Sequence, residues 1–334
     1  MSPSSVSENI QSVFLGQIRN RLPENASFAD ELAELLNVSR DSAYRRIRGE
    51  TVLSLDEVKK LYDQYGVSLD AIISPSSNMV LFQHQAADVN YSLEGWLNSL
   101  LQNMELAKSS KELEIIYAAK DIPMFHYFQI PELTAFKLFV WSKSVIKDTK
   151  YSTVAYHLDV IPKEILAKAT KVGQLYASLP TTEIWSDEAF NSTLKQIEFY
   201  HECGFFSEHD QAVHICDQLM DFNEQLRKVA AEGKKSDGGA FTLYQNEILI
   251  PDNTIFAKIN NARVVYINYN TLDVLTTHQD PFGKKTESYM HNLLKNSALI
   301  SSTAEKERNR FFNKMEEQII ACKAKLSINE PIIN

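Results

Sequence analysis

The 334 residues carry 34 Lys or Arg against 43 Asp or Glu, a net charge of −9, and are 44% hydrophobic and 23% charged. Such a balance excludes a wholly disordered chain and argues against general attraction to anionic membranes or bulk nucleic acid, while the length leaves room for two or three domains with sizeable cores. No apolar run reaches the roughly 18 residues of a membrane span, and the start MSPSSVSENIQ lacks the basic and apolar regions of a secretory signal. Cys203, Cys216 and Cys322 leave one thiol over in any disulfide scheme, which fits a reducing compartment. A cytoplasmic protein is expected, without a membrane as partner.

Residues 6–20, VSENIQSVFLGQIRN, have the apolar spacing of an amphipathic helix. Residues 27–49, SFADELAELLNVSRDSAYRRIRG, then read as a helix, a tight turn and a second helix. Ser27 is placed to cap the first, whose stripe is Phe28, Leu32, Leu35 and Leu36, and Asn37 and Val38 make the turn. Ser39 is placed to cap the second. Its Ala43, Tyr44 and Ile47 are expected to face inward, leaving Arg40, Asp41, Ser42, Arg45, Arg46 and Arg48 outside until Gly49 ends the helix. At about 1.5 Å rise per residue the segment 40–48 is a rod of about 14 Å, a size that fits a major groove. Ser54 and Glu57 form a capping box for SLDEVKKLYDQYG, with Leu55, Val58, Leu61 and Tyr62 expected inward, and Ser68 opens a last turn, SLDAII.

Five helices over residues 6–73 resemble the headpiece of the phage lambda repressor and Cro family, also called XRE-type helix-turn-helix proteins. The resemblance implies that the second motif helix reads base edges, carried here by Arg40, Asp41, Ser42, Arg45 and Arg46. It also implies that Ser27 and residues after Gly49 approach phosphates. Many members have a bulky aromatic near the end of that helix, where this chain has Arg46-Ile47. Residues 1–75 hold eight Lys or Arg against eleven Asp or Glu, a charge of −3, whereas 40–48 alone is +3. Positive charge focused on one helix of an acidic unit suits an oriented contact better than a coat on random DNA. The plain alternative is a solvated helix face.

The helical pattern is interrupted at ISPSSNM, so a headpiece over 1–73, a linker over 74–78 and a larger α+β domain over 79–334 are expected. MVLFQH (79–84) suggests a strand, 92–107 a helix with Trp96, Leu97, Leu100, Leu101 and Met104 inward, and Leu113 to Ala119 a buried strand. Helices dominate from there to about residue 232. Residues 241–275 alternate as an antiparallel meander of three strands, FTLYQNEILI, TIFAKI and RVVYINYN, followed by helices near 284–295 and from Thr303 to about Lys325. The region resembles the C-terminal regions that accompany such headpieces in bacterial transcription regulators, with a phospholipase D-like sheet as the implied scaffold. The catalytic signature of that fold is missing, since His291 and Lys295 have the wrong spacing.

No zinc-protease, Cys-x-x-Cys, nucleophile-elbow or dinucleotide motif occurs, and Gly283-Lys284-Lys285-Thr286 lacks the earlier glycine of a phosphate loop. His201, Cys203, His209, His214 and Cys216 cluster in sequence but match no zinc module, so no metal or cofactor is expected. Phe125, Tyr127, Phe128, Phe136, Phe139 and Trp141 suit a core at helical spacing, with an effector pocket as the alternative, and Phe311, Phe312, Met315 and Ile319 suit either core or a dimer face. The sum is a regulator that binds double-stranded DNA as a homodimer, with a regulatory or oligomerising C-terminal domain and no catalytic residues. The rivals are an enzyme targeted to DNA by its headpiece and a protein-interaction module whose arginine helix meets an acidic partner.

Overall fold

The turn and cap residues of the first seventy positions produce four helices in a computed structural model, which describes residues 9–22, 26–69, 72, 80–84, 92–208, 210–247, 250 and 252–328. The chain divides into two units, one of residues 1–81 with 279–282 and one of 82–278 with 283–334. The expected fifth headpiece helix and the linker 74–78 fall largely outside the described residues. Among the described residues, no helix is long and apolar enough to cross a membrane.

In the smaller unit, α1 (Ile10–Arg19), α2 (Phe28–Leu36), α3 (Arg40–Ile47) and α4 (Leu55–Tyr65) enclose Phe14, Leu15, Ile18, Leu32, Leu36, Ala43 and Leu61. Asn37 closes α2 in the left-handed region at φ 55°, a conformation that asparagine tolerates. Ser54 and Glu57 form the reciprocal capping box of α4, and Gly66 ends it at φ 64°. On α4 two inward placements differ from expectation: Leu55 is 84% exposed and Tyr62 48%. The inward stripe of α4 is Val58, Leu61 and Tyr65, spaced i, i+3, i+7, and Tyr62 lies one residue, about 100° of rotation, off it.

The larger unit is built on an eight-stranded mixed sheet. Its strands are β1 (Gln83–His84), β2 (Leu113–Ala119), β3 (Thr181–Ser186), β4 (Phe241–Asn246), β5 (Thr254–Ile259), β6 (Ala262–Asn268), β7 (Val274–Thr277) and β8 (Ala298–Leu299). They lie in the order β1-β7-β6-β5-β2-β3-β4-β8. β2, β3 and β4 are parallel neighbours, and the other pairs are antiparallel. Parallel neighbours need long crossovers, supplied here by α6 (Pro131–Val140) and α7 (Lys163–Ser178) between β2 and β3, then α8 (Asn191–Glu202) and α9 (Gln211–Glu232) between β3 and β4.

This topology corrects the expected meander. β5, β6 and β7 do form one, but β4 pairs with β3 and β8 on the far side of β2. The expected strand over 79–84 shortens to Gln83–His84 among the described residues.

α5 (Leu93–Lys108) packs along α7, and α11 (Glu305–Ile328) along α9, while α10 (Asp280–Lys295) reaches β5 and β6 through Glu287, which pairs with Arg263 and Lys258. Phe311, Phe312, Met315 and Ile319 are 0–1% exposed, so that stripe is core and supplies no dimer face. The aromatics from Phe125 to Trp141 are likewise core.

Gly239 holds a close approach in this unit. Its amide donates to Ala177 O at 3.0 Å, and a Cβ there would stand 2.7 Å from the same oxygen and closer still to Leu179 O. Backbone cannot yield as a flexible side chain can. Gly239→Ala is expected to cost about 3 kcal/mol, read in urea from tryptophan fluorescence, because Trp96, Trp141 and Trp185 all lie in this unit.

Candidate nucleic-acid interface

The turn at Asn37-Val38 places α3 against α2, and Ala43, with no exposed surface, meets the core together with the half-buried Ile47. Ser39 caps α3, its hydroxyl accepting from the Ser42 amide at 3.2 Å, whereas Ser27 makes no side-chain cap to α2 and stands exposed. Gln11 of α1 fixes the far end. Its amide donates to Arg46 O and Thr51 O, each at 2.8 Å, and its oxygen accepts from the Leu53 amide at 2.9 Å. α3 is thereby fixed at both ends by side chains from outside itself or from its own cap.

The four arginines have different fates. Arg40, Arg45 and Arg48 are exposed and pair at the surface with Asp30 (2.9 Å), Asp41 (3.1 Å) and Glu50 (2.9 Å). Pairs this open contribute about 0–1 kcal/mol each and exchange readily for another anion.

Arg46 departs from the outward placement expected of it. With both side chains 15% exposed, its Nη2 and Nε donate to Glu57 Oε1 at 2.8 and 3.1 Å, and Nη1 donates to Ser42 O at 3.2 Å. Glu57 Oε2 meanwhile accepts from the Ser54 amide at 2.9 Å. Partial burial pushes the Glu57 carboxyl up, but the Arg46 and Ser54 donors outweigh it and hold it below the ordinary value. Arg46 thus ties α3 to the first turn of α4 and is a positioning residue.

Tyr44, expected inward, is 43% exposed, with the Arg40 guanidinium 5.9 Å from its ring centroid. Spacing alone could have found it, because 40, 44 and 48 recur every four residues on one face. Arg40, Asp41, Tyr44, Arg45 and Arg48 are the exposed face, with Ser42 half-buried beside it and Ser39 at its start. A tyrosine and three arginines offer hydrogen-bond donors and flat surfaces for phosphates and bases; Asp41 is an acceptor.

A second group of charges lies in the larger unit, sealed from solvent. Glu183 of β3 has no exposed surface; its carboxylate accepts from Tyr176 Oη (2.7 Å), Trp185 Nε1 (2.9 Å), Thr181 Oγ1 (3.1 Å) and His126 Nε2 (3.0 and 3.1 Å). Lys235 Nζ donates to Thr181 Oγ1 at 2.7 Å. Burial pushes Glu183 up, yet His126, Lys235 and Tyr176 reverse this and set it at about 2. Burial lowers the Lys235 amine to about 8, with Glu183 drawing it partly back. The adjoining cavity, about 30 Å³ beside His126 and Lys235, has the volume of about one water molecule. The group ties the turn at Met124–Tyr127, α7, β3 and the segment before β4 together around a carboxylate with no exposed surface.

Of the sequence cluster, His201 and Cys216 are buried while Cys203 and His214 are exposed; His209 lies outside the described residues. Among the described residues no group of three or more His, Cys, Asp or Glu could hold a metal ion.

No family model and no curated protein matches the chain. Among solved structures, the chain aligns with TrmBL2, an archaeal chromatin protein that shows a novel mode of DNA binding. The alignment covers 88% of this chain and 95% of that one at 9% identity, with a TM-score of 0.24.

Proposed function

We propose that the chain is a sequence-specific regulator of transcription that binds double-stranded DNA through α3, its larger unit serving as a regulatory and dimerising domain and not as an enzyme. The observation that carries the reading is the exposed face of Arg40, Tyr44, Arg45 and Arg48 on a short helix held at both ends, within an otherwise acidic unit. In a helix-turn-helix geometry this face enters the major groove. Arg45, at its centre, donates to a guanine edge, and Arg40 and Arg48 flank it toward phosphates, with Ser27 and Ser39 near the backbone.

One such module buries about 600–1,000 Å² on DNA, too little for selective occupancy of a genome, so two copies act together on half-sites about 34 Å apart. Because the stripe on α11 is core, dimer contacts fall elsewhere on the larger unit. Light scattering of the full chain at micromolar concentration is expected to give a dimer; a monomer at that concentration would remove this part of the reading.

The test of DNA binding is a titration of random duplex DNA with the full chain across a salt series. Affinity is expected to fall with log salt at a slope of about −0.9 per phosphate neutralised. A salt-independent affinity, or tighter capture by polyglutamate than by duplex, would favour an acidic protein partner instead.

A further inference from the structure

Apart from the arginine helix, the larger unit contains a cavity of about 450 Å³ between the sheet and α5. We propose that it is a binding site for a neutral, largely apolar small molecule that carries a hydrogen-bond acceptor such as a ketone or ester oxygen. Its floor is the register row Tyr117–Ile255–Tyr266 across β2, β5 and β6, extended by Ala257. Across it stand Trp96 and Met104 of α5, and Tyr176 of α7 forms a wall.

Volume and lining fall within the usual range for small-molecule sites, which are mainly apolar with a few placed polar groups. Polar side chains reach it from Ser99, Asn103, Asn268 and Thr276, and two phenols stand in its apolar floor. Tyr117 is 2% exposed, and among the described residues neither its hydroxyl nor that of Tyr266 has a hydrogen-bond partner, although both residues line the cavity. Burial pushes the Tyr266 phenol up to about 12 and Tyr117 above its ordinary value, so both carry a proton to donate at neutral pH. Both residues face the cavity without a partner for their hydroxyls among the described residues, so the two O–H groups are available to donate to a ligand carbonyl.

The same lining selects against an anion. No lysine or arginine is among the described residues that line the cavity, and Asp273 adds a carboxylate, paired at 3.7 Å with His84. An ionised ligand would lose its hydration without a counter-charge.

Tyr176 links the site to the sealed network, because its hydroxyl donates to Glu183 while its ring stacks on Phe125 at 4.5 Å. The wall is therefore fixed before any ligand enters. Preorganisation of that kind reduces the ordering cost of binding.

The probe is prodan, a neutral aromatic ketone whose emission reports both polarity and hydrogen bonding at its carbonyl, titrated against the full chain without DNA. Saturable micromolar binding is expected. The isosteric double variant Tyr117→Phe, Tyr266→Phe is expected to keep the tryptophan unfolding transition, bind about 10-fold more weakly and shift prodan emission further to the blue. Ala257→Phe, which fills the floor, is expected to abolish binding. Methyl decanoate should displace prodan and decanoate should not. Unsaturable binding, equal affinity and emission in the tyrosine double variant, or tighter displacement by decanoate would each overturn the proposal. Since no nucleic acid is present, the outcome stands apart from that of the regulator reading.

Discussion

Glu183→Ala is expected to cost the larger unit about 3–5 kcal/mol, because it leaves His126 and Lys235 facing an empty site inside the protein. Four side chains donate directly to this carboxylate, from the single turn at Met124–Tyr127, from α7, and from both ends of β3. The readout is urea unfolding followed by tryptophan fluorescence, which reports this unit alone. The acid dependence has a definite sign. A carboxyl held near 2 when folded, against an ordinary 4.5, contributes stability that is complete above the ordinary value and is lost as pH falls from about 4.5 toward 2. Glu183→Gln keeps the shape but cannot titrate, so its stability should lack that acid loss. An unchanged acid limb in the glutamine variant would refute the assignment.

The second large effect separates the arginines of α3. Arg40→Ala with Arg45→Ala is expected to lower affinity for a preferred duplex on the order of 100-fold, at about 1–3 kcal/mol for the residue that reads a base and less for a phosphate contact. Folding should barely change, since the pairs with Asp30 and Asp41 are open to solvent. Arg46→Ala should do the reverse at first. Loss of its donors to Glu57 frees α3 from α4, raising amide exchange across both helices and costing about 1–3 kcal/mol, with DNA affinity falling only as the unit loosens. Equal behaviour of the two variants in both measurements would show that the division between surface and positioning arginines is wrong.

What could be read from the sequence was local. Ser39, Asn37, Gly49 and the Ser54–Glu57 box act within a few residues of themselves, so their chemistry is visible in a short window. The inward turn of Arg46 is not legible in a short window because its partner Glu57 lies in another helix, and an arginine near the edge of an inward face goes wherever a carboxylate meets it. Leu55 and Tyr62 point outward although apolar, because apolar positions spread around a helix do not say which side of the rotation faces the neighbour.

β3 is the element least legible in the sequence. TTEIWS carries the β-branched and aromatic residues of a buried strand, but Glu183 breaks the apolar run, and its burial makes sense only with His126 and Lys235 in place. The pairing of β4 with β3 rather than β5 is equally non-local, since two helices intervene between the partners. The phenols of the cavity belong to strands that were legible, while their shared row depends on register alone.

The most direct measurement is repeated selection of bound duplexes from a randomised pool by the full chain, sequenced and compared with the selection made by Arg45→Ala. The expected result is one enriched, near-palindromic motif with half-site centres about 10 base pairs apart, in which Arg45→Ala relaxes preference at a single position of each half-site. No enriched sequence at any salt concentration, or a motif unaltered when Arg40 and Arg45 are both removed, would contradict DNA reading by α3.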